Sequence, residues 1–294
     1  MDLCNIRDVR ALLSRHGFRF SKSLGQNFLV ADWVPRETAA ACGADERHGV
    51  LEVGPGVGCL TRELCARAGR VASIELDKSL LPVLGETMAG AGNFALIPGD
   101  VLKLDLPALV EEQFPGLVPL ACANLPYNIT TPALRALVEA GRFESITVMV
   151  QREVALRLAA KPGTADYSAF SVYMRYYTEP EILFEVPPDC FLPAPKVTSA
   201  VVRCPVRTAP PVSPACGEAF FFRTVRAAFA LRRKTLRNSL ASAFGLDRDR
   251  IADMIAACGF PPAVRGEELG LTELAALADR IFAAASRTES RRLN

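Results

Sequence analysis

The sequence holds only two histidines, His16 and His48, and its nine cysteines include no Cys-x-x-Cys pair. Two imidazoles are too few for a metal cluster. Scattered cysteines in odd number neither frame a disulfide scaffold nor space as zinc ligands. They read as reduced, mostly buried thiols of a cytoplasmic protein. No apolar run approaches the roughly 20 residues that cross a bilayer, so no membrane partner is expected. The opening Met1-Asp2-Leu3-Cys4-Asn5-Ile6 lacks a basic end followed by an apolar core, which argues against a secretory signal. Internal repeats are missing. Net charge is nearly missing too: 34 Lys and Arg stand against 32 Asp and Glu, so global charge says little about partners. One local absence says more. No acidic residue occurs from Ala219 to Leu246, a stretch that holds Arg223, Arg226, Arg232, Arg233, Lys234 and Arg237. A second basic stretch runs from Arg7 to Lys22. Patches of this kind attract phosphate backbones.

What remains is the composition of a globular chain long enough, at 294 residues, for one large domain and a smaller one. Short apolar strands alternate with helical patterns through the first half. Strands are read at Val50–Val53, Val71–Glu75, Phe94–Ile97, Val118–Cys122 and Ile146–Val150. Helices are read between them, at Leu60–Arg67, Ser79–Met88, Leu106–Phe114 and Pro132–Ala140, and after the last at Arg152–Ala160. This order predicts an α/β fold with a mostly parallel sheet and right-handed crossovers. Past Lys161-Pro162-Gly163 the pattern changes. Phe170–Tyr177 and Val197–Cys204 read as β-rich and are expected to add an antiparallel edge. Pro205–Pro214, with four prolines, reads as a linker, and helical patterns follow to Ala285, with a polar, frayed tail beyond. The expected division is a catalytic domain over 1–207 and a small all-helical domain over 208–294.

Gly54-Pro55-Gly56-Val57-Gly58 lies between a strand and a helix, where glycines let a ligand approach the backbone and the helix start offers free N–H groups. A dinucleotide fingerprint would need Gly-x-Gly-x-x-Gly, but position 59 is Cys. Gly-x-Gly-x-Gly here is more like a methyltransferase loop, unless it is only a tight turn. Glu75 closes the next strand, about twenty residues on, where a carboxylate can accept from both ribose hydroxyls of a nucleoside cofactor. Asp77 competes with it as a surface charge. Asp100 closes the third strand and could accept from an adenine amine or merely cap a turn. Asn124-Leu125-Pro126-Tyr127 follows the fourth strand. Pro126 removes a donor and holds Leu125 extended, so the loop is stiff. It reads either as a rigid turn with a packed Tyr or as a holder for a flat ring bearing an amine. All four strand ends share the carboxyl rim, where open α/β sheets bind ligands. The chemistry suited to that rim is displacement at a sulfonium methyl by an adenine amine. An Asn oxygen and a backbone carbonyl would hold the amine, and Tyr127 would stack on a flipped or single-stranded base.

At this point the chain resembles a known family. Leu24-Gly25-Gln26-Asn27-Phe28-Leu29, Glu52-Val53-Gly54-Pro55-Gly56, Ile74-Glu75-Leu76-Asp77, Gly99-Asp100 and Asn124-Leu125-Pro126-Tyr127-Asn128-Ile129 are similar to motifs of the ribosomal RNA adenine dimethyltransferases. The resemblance continues through Gln151–Ala155, Tyr167–Tyr177 and Phe191–Val197 to Arg232–Leu240, nearly the whole chain. The last block resembles the bacterial KsgA type rather than the macrolide-resistance enzymes that act on large-subunit RNA. The resemblance implies a Rossmann-like methyltransferase domain using S-adenosyl-L-methionine and no metal. It implies cofactor contacts at Gln26, Asn27, Leu29, Gly54, Gly56, Glu75, Leu76, Asp100, Val101 and Asn124. Asn124, Leu125 and Tyr127 would handle the target base, with Phe191 on its other face, though by composition Phe191 reads as a core residue. The implied reaction is dimethylation of two adjacent adenosines near the 3′ end of small-subunit ribosomal RNA, on the immature 30S subunit, by a cytoplasmic monomer. A non-catalytic RNA-binding assembly or transcription factor is the rival from another class; the intact Gly54, Glu75, Asp100 and Asn124 argue against it.

Overall fold

The computed structural model describes residues 1–21, 24–231 and 234–292. Two compact units emerge, one formed by Met1–Ala155 with Glu179–Val206, the other by Leu156–Thr178 with Arg207–Asn294. The second unit takes up the chain again at Arg207, within the proline-rich stretch. It also takes a segment, Leu156–Thr178, that the sequence reading left in the catalytic domain.

In the first unit the chain runs α1 (Ile6–Arg15), β1 (Phe28–Leu29), α2 (Trp33–Cys42), β2 (His48–Val53), α3 (Cys59–Cys65), β3 (Arg70–Glu75), α4 (Leu81–Thr87), β4 (Phe94–Pro98), α5 (Leu106–Gln113), β5 (Val118–Asn124), α6 (Thr130–Glu139) and β6 (Ser145–Gln151). A helix α7 (Arg152–Ala159) follows, and after the excursion into the second unit come β7 (Glu181–Val186), β8 (Phe191–Leu192) and β9 (Ser199–Pro205). Seven strands form one sheet in the order β4-β3-β2-β5-β6-β9-β7. The first five are parallel, and β9 and β7 are antiparallel additions. The expected antiparallel edge is there, but its composition differs. Phe170–Tyr177 is not β; it lies in helix α8 (Ala169–Tyr177), capped by reciprocal Ser168 and Ser171 hydrogen bonds. The edge is instead Glu181–Val186, whose exposed and half-buried residues alternate along most of its length as an edge strand requires.

Local chemistry explains most boundaries. The Asn5 side chain caps α1, Asp105 caps α5, and Gly43 ends α2 in the left-handed conformation. Pro82 sits in the first turn of α4, where its missing N–H costs nothing. Val50, Val71, Leu120 and Cys122 of the sheet pack with Ala39 and Cys42 of α2 and Leu60 and Leu64 of α3. Burial of such side chains contributes roughly 1.5–3 kcal/mol each.

The parallel order reverses direction between β2 and β5, with β3 on one side and β6 on the other. That switch point leaves a crevice outside the carboxyl ends of the strands. It places Gly54, Glu75, Asp100 and Asn124 on one rim.

The second unit is helical: α8, α9 (Glu218–Phe229), α10 (Leu236–Phe244), α11 (Arg248–Ala257) and α12 (Leu271–Arg292). Its core joins Tyr167 and Tyr176 to Phe221, Leu236, Leu240, Ile251, Leu274 and Ile281. Phe220, Phe222 and Phe229 pack against that core, as a helical aromatic stripe would. The α12 helix runs on to Arg292, past the point at which a frayed tail was expected. Among the described residues no helix is long and apolar enough to cross a membrane.

Candidate active site

A cleft at the switch point is lined by residues from Leu24 to Ile129, and all ten expected cofactor residues border it. It holds about 1020 Å³ of empty space, part of it open to solvent.

The floor is the glycine loop. Gly54, Gly56 and Gly58 all take positive φ, and Gly54 N donates to Ile74 O at 2.9 Å, pinning the loop to β3. A Cβ on Gly54 would point at the Pro126 ring 3.8 Å away, into the space the cleft leaves between the two loops. This cradle fits a ligand that must approach backbone atoms closely.

Two buried carboxylates flank it. Glu52 is enclosed, its Oε2 accepting from Ser73 Oγ at 2.6 Å and Thr61 Oγ1 at 2.7 Å; burial pushes its carboxyl up to about 7. Glu75, at the end of β3, is 6% exposed, and burial likewise raises its carboxyl to about 7. Its Oε1 accepts from Asp77 N at 2.7 Å, and the Gly56 and Leu76 backbone N–H groups also donate to it. A carboxylate held this way, desolvated and beside a glycine cradle, fits a diol that brings its own donors. Asp77 is excluded from that role. It does not line the cleft; Gln26 Nε2 donates to its Oδ2 at 2.7 Å, and Ser79 donates through both N and Oγ to its Oδ1. Gln26 in turn accepts from Ser21 N at 3.0 Å. The Gln26 side chain is therefore a bracket fastening the N-terminal loop to β3, and only the rest of the residue is available to a ligand.

Asp100 borders the cleft while capping a turn through Leu102 N at 3.0 Å and facing Lys103 Nζ at 3.6 Å. The turn cap is thus present, and it leaves the residue on the cleft wall. Buried Val101 and exposed Leu76 add apolar surface.

Asn124 ends β5. Its Nδ2 donates to the Asn27 carbonyl at 3.2 Å. A carbonyl only accepts, so this contact engages one N–H of the amide and leaves Oδ1 as the atom of Asn124 able to accept. Leu125 N docks on Met149 O at 3.2 Å, and Pro126 O and Tyr127 O are occupied within the following turn by Ile129 N and Thr130 Oγ1. The Tyr127 hydroxyl lies 2.6 Å from Ser199 Oγ. Across from this loop sits Gly25, at φ +61°, where a Cβ would meet Asn128 Oδ1 at 2.8 Å. Glycine thus lets the loop carrying Gln26 and Asn27 close onto the loop carrying Asn124. Gly25→Ala is expected to hold the two loops apart, at about 1–2 kcal/mol for the left-handed backbone alone. Cofactor affinity should fall about tenfold in a titration, with folding intact by circular dichroism; unchanged affinity would show that the loops need not interlock.

Phe191 is not brought to the cleft. It is 3% exposed, pairs with Leu29 through β8 and β1, and packs with Leu29, Cys190 and Val201. In this conformation it is the core residue its composition suggested, rather than a second face for a base.

The phosphate-facing expectations divide. Arg223 and Arg226 are exposed on α9, with the Arg223 guanidinium 4.7 Å from the centre of the Phe244 ring. Lys234 is exposed. Arg237 faces Asp249 of α11 at 4.0 Å, so an acidic neighbour invisible in the local sequence partly answers its charge. Arg232 and Arg233 lie outside the described residues.

A family model described as ribosomal RNA adenine dimethylase matches residues 17–255. The chain belongs to this family. It is 46% identical to the ribosomal RNA small subunit methyltransferase A of Pelotomaculum thermopropionicum over 92% of this chain and 94% of that one. It is 42% identical to the protein of the same description from Geobacillus thermodenitrificans, over 96% and 97% of the two chains. Among solved structures, the 23S rRNA methyltransferase ErmE superposes with a TM-score of 0.67 at 27% identity, covering 87% of this chain and all but 1% of that one. A dimethyladenosine transferase from Plasmodium falciparum shares the fold at the same TM-score and 21% identity. Two features escaped the sequence reading. One is Ser199, whose only signal was its place at the start of a strand. The other is the Gln26 bracket, which spans 51 residues and left no local trace.

Proposed function

We propose that the protein transfers methyl groups from S-adenosylmethionine to the N6 amines of two adjacent adenosines near the 3′ end of 16S ribosomal RNA, giving N6,N6-dimethyladenosine during small-subunit assembly in the cytoplasm. The observation that carries this reading is the placement of Asn124: it borders one cleft with Glu75 and Asp100, and its Nδ2 donates to Asn27 O, which leaves Oδ1 as its acceptor. The full-length similarity to small-subunit enzymes favours that RNA over the large-subunit RNA named for ErmE.

In this reading Glu75 accepts from the ribose hydroxyls of the cofactor, Asp100 from its adenine amine, and Leu76 and Val101 lie against its ring. Gly54, Gly56, Asn27 and Leu29 present backbone to its remainder. When bound, the cofactor supplies a methyl group on a sulfonium sulfur, which keeps the bond electrons on departure. Asn124 Oδ1 accepts one N–H of the target amine. With Pro126 O and Tyr127 O already engaged, the Leu125 carbonyl is the backbone acceptor for the other. Two oxygens thereby face the positive charge that grows on nitrogen, and hold its lone pair toward the methyl. Neither oxygen is basic enough to keep the released proton, which passes to water. Tyr127 stacks on the base, a contact worth roughly 1–3 kcal/mol. After one methylation a single N–H remains, so one of the two acceptors must release before a second transfer. Arg223, Arg226 and Lys234 of the second unit, with Arg232, Arg233 and Arg237, would hold RNA phosphates and give binding a salt dependence.

The test is methyl transfer to immature small subunits, followed by mass mapping of nucleosides in both ribosomal RNAs. The expected product is dimethyladenosine at two neighbouring positions near the 3′ end of 16S RNA. Label confined to large-subunit RNA would favour the macrolide-resistance activity, and no label in either would favour a non-catalytic factor.

A further inference from the structure

The Tyr127 hydroxyl has a partner that no motif announces. Ser199 Oγ lies 2.6 Å from it, 72 residues along the chain. Ser199 is fully buried and opens β9. Its backbone is pinned from both sides, opposite Gln151 of β6 and opposite Val186 of β7. Just before it, Thr198 O accepts from Arg152 N at 2.9 Å.

Tyr127 needs such a post. It lies in a single 3₁₀ turn, Tyr127–Ile129, between β5 and α6, and its ring borders the cleft. In the sheet β6 separates β5 from β9. Leu125 docks on Met149 of β6, and two residues later Tyr127 reaches past that strand to β9. A ring attached only through its Cβ turns about two torsions. Fastening the hydroxyl at the opposite end fixes the first torsion and with it the line and reach of the ring axis; the second torsion, whose axis passes through the hydroxyl oxygen, is left to the packing of the ring faces. The bond is protected, because burial raises the Tyr127 hydroxyl above its ordinary value and keeps it protonated.

We propose that Ser199 is a positioning residue that fixes the axis and reach of the Tyr127 ring and, through it, the position at which the target adenine is offered to the methyl donor. This rests on the reading of Tyr127 as the stacking residue. Ser199 touches neither base nor cofactor in this scheme; it acts through the tyrosine.

A loosened ring still stacks on an adenine but samples misplaced positions, so turnover should suffer more than binding. In transfer assays on immature small subunits, Ser199→Ala is expected to lower kcat about tenfold. KM for the subunit should change less than threefold, and the cofactor Kd should not move. Tyr127→Phe breaks the same bond from the other side, keeps the ring, and should show the same split. The double variant should be no worse than either single one, since both remove one interaction. Tyr127→Phe also keeps the test decisive should Ser199→Ala fail to fold. Wild-type kcat in a folded Ser199→Ala enzyme, or effects of the two substitutions that multiply, would overturn the proposal. Tyr127→Ala separates this from failure of the underlying reading. If it abolishes transfer while Ser199→Ala is silent, only the role of Ser199 falls. If Tyr127→Ala is itself silent, the stacking role falls with it.

Discussion

Replacing Asn124 with alanine is expected to reduce methyl transfer at least about a hundredfold while small-subunit binding persists. Removing one preorganised hydrogen-bonding group that meets developing charge typically costs a factor of this size. Here the loss is compounded. Adenine N6 is a weak nucleophile because its lone pair is shared with the ring, so the reaction depends on groups that hold that lone pair in line. Asn124→Ala leaves the Leu125 carbonyl as the single acceptor. It also frees the Asn27 carbonyl that Asn124 Nδ2 engages at 3.2 Å, loosening the loop over the cofactor. The second effect is small, about 1 kcal/mol for a neutral hydrogen bond, and should appear as a modest change in cofactor Kd. Asn124→Asp separates the two contributions. It keeps an oxygen toward the amine but sets a carboxylate oxygen against the Asn27 carbonyl, so it too should fail. Single-turnover transfer, with subunit binding measured in parallel, reads both quantities. Retained transfer by Asn124→Ala would remove this residue from the chemistry.

Glu75→Ala should weaken cofactor binding about a hundredfold or more at pH 8, and by less as pH falls. Two hydrogen bonds from ribose hydroxyls to an ionised acceptor contribute roughly 1.5–3 kcal/mol each. They reach full strength only when Glu75 is charged, and burial holds its carboxyl near 7 in the free protein. Wild-type affinity should therefore rise as pH passes upward through about 7, and the variant should lack that rise. Stability moves the other way. The unfolded carboxyl titrates at its ordinary value of 4.5, so between there and about 7 the folded chain keeps a proton that the unfolded chain has lost. The native state binds more protons across that window, and stability falls as pH rises through it. The loss is on the order of 3 kcal/mol for one such group. Glu75→Gln should therefore melt higher than the wild type at pH 8 while binding cofactor poorly. Glu52, similarly raised but enclosed by Ser73 and Thr61, adds to the same trend and remains in either variant. Equal cofactor affinity of wild type and Glu75→Ala at pH 8 would refute the assignment.

Strand-end residues were legible because their positions follow from short-range pattern. An apolar run that stops at Gly54, Glu75, Asp100 or Asn124 puts those side chains on one rim whatever the remainder of the fold does. Side-chain pairing was not legible, because it is decided across the chain. Nothing near Gln26 announces Asp77, and nothing near Arg237 announces Asp249. The mistaken strand at Phe170–Tyr177 has a different cause. Aromatic and β-branched residues favour strands only weakly, and the Ser168–Ser171 cap with a buried helical face outweighs that preference. The edge strand Glu181–Val186 carried its signal in plain alternation but followed the misread segment. Phe191, which the resemblance places at the base, is buried opposite Leu29 in this conformation, a pairing across the chain that no local pattern announces.

The first unit is discontinuous, and this has a consequence for the timing of synthesis. Its five parallel strands are complete once Gln151 has been made, yet β7, β8 and β9 come only after the chain has made the Leu156–Thr178 segment of the other unit. At about 5–20 residues per second, the interval from Gln151 to Pro205 lasts roughly 3–10 s on the ribosome. Throughout it the nascent sheet has its glycine loop and Glu75 but no Ser199 to hold Tyr127 and no β8 against Leu29. Every residue that lines the cleft, from Leu24 to Ile129, is thus made before the strand that anchors Tyr127.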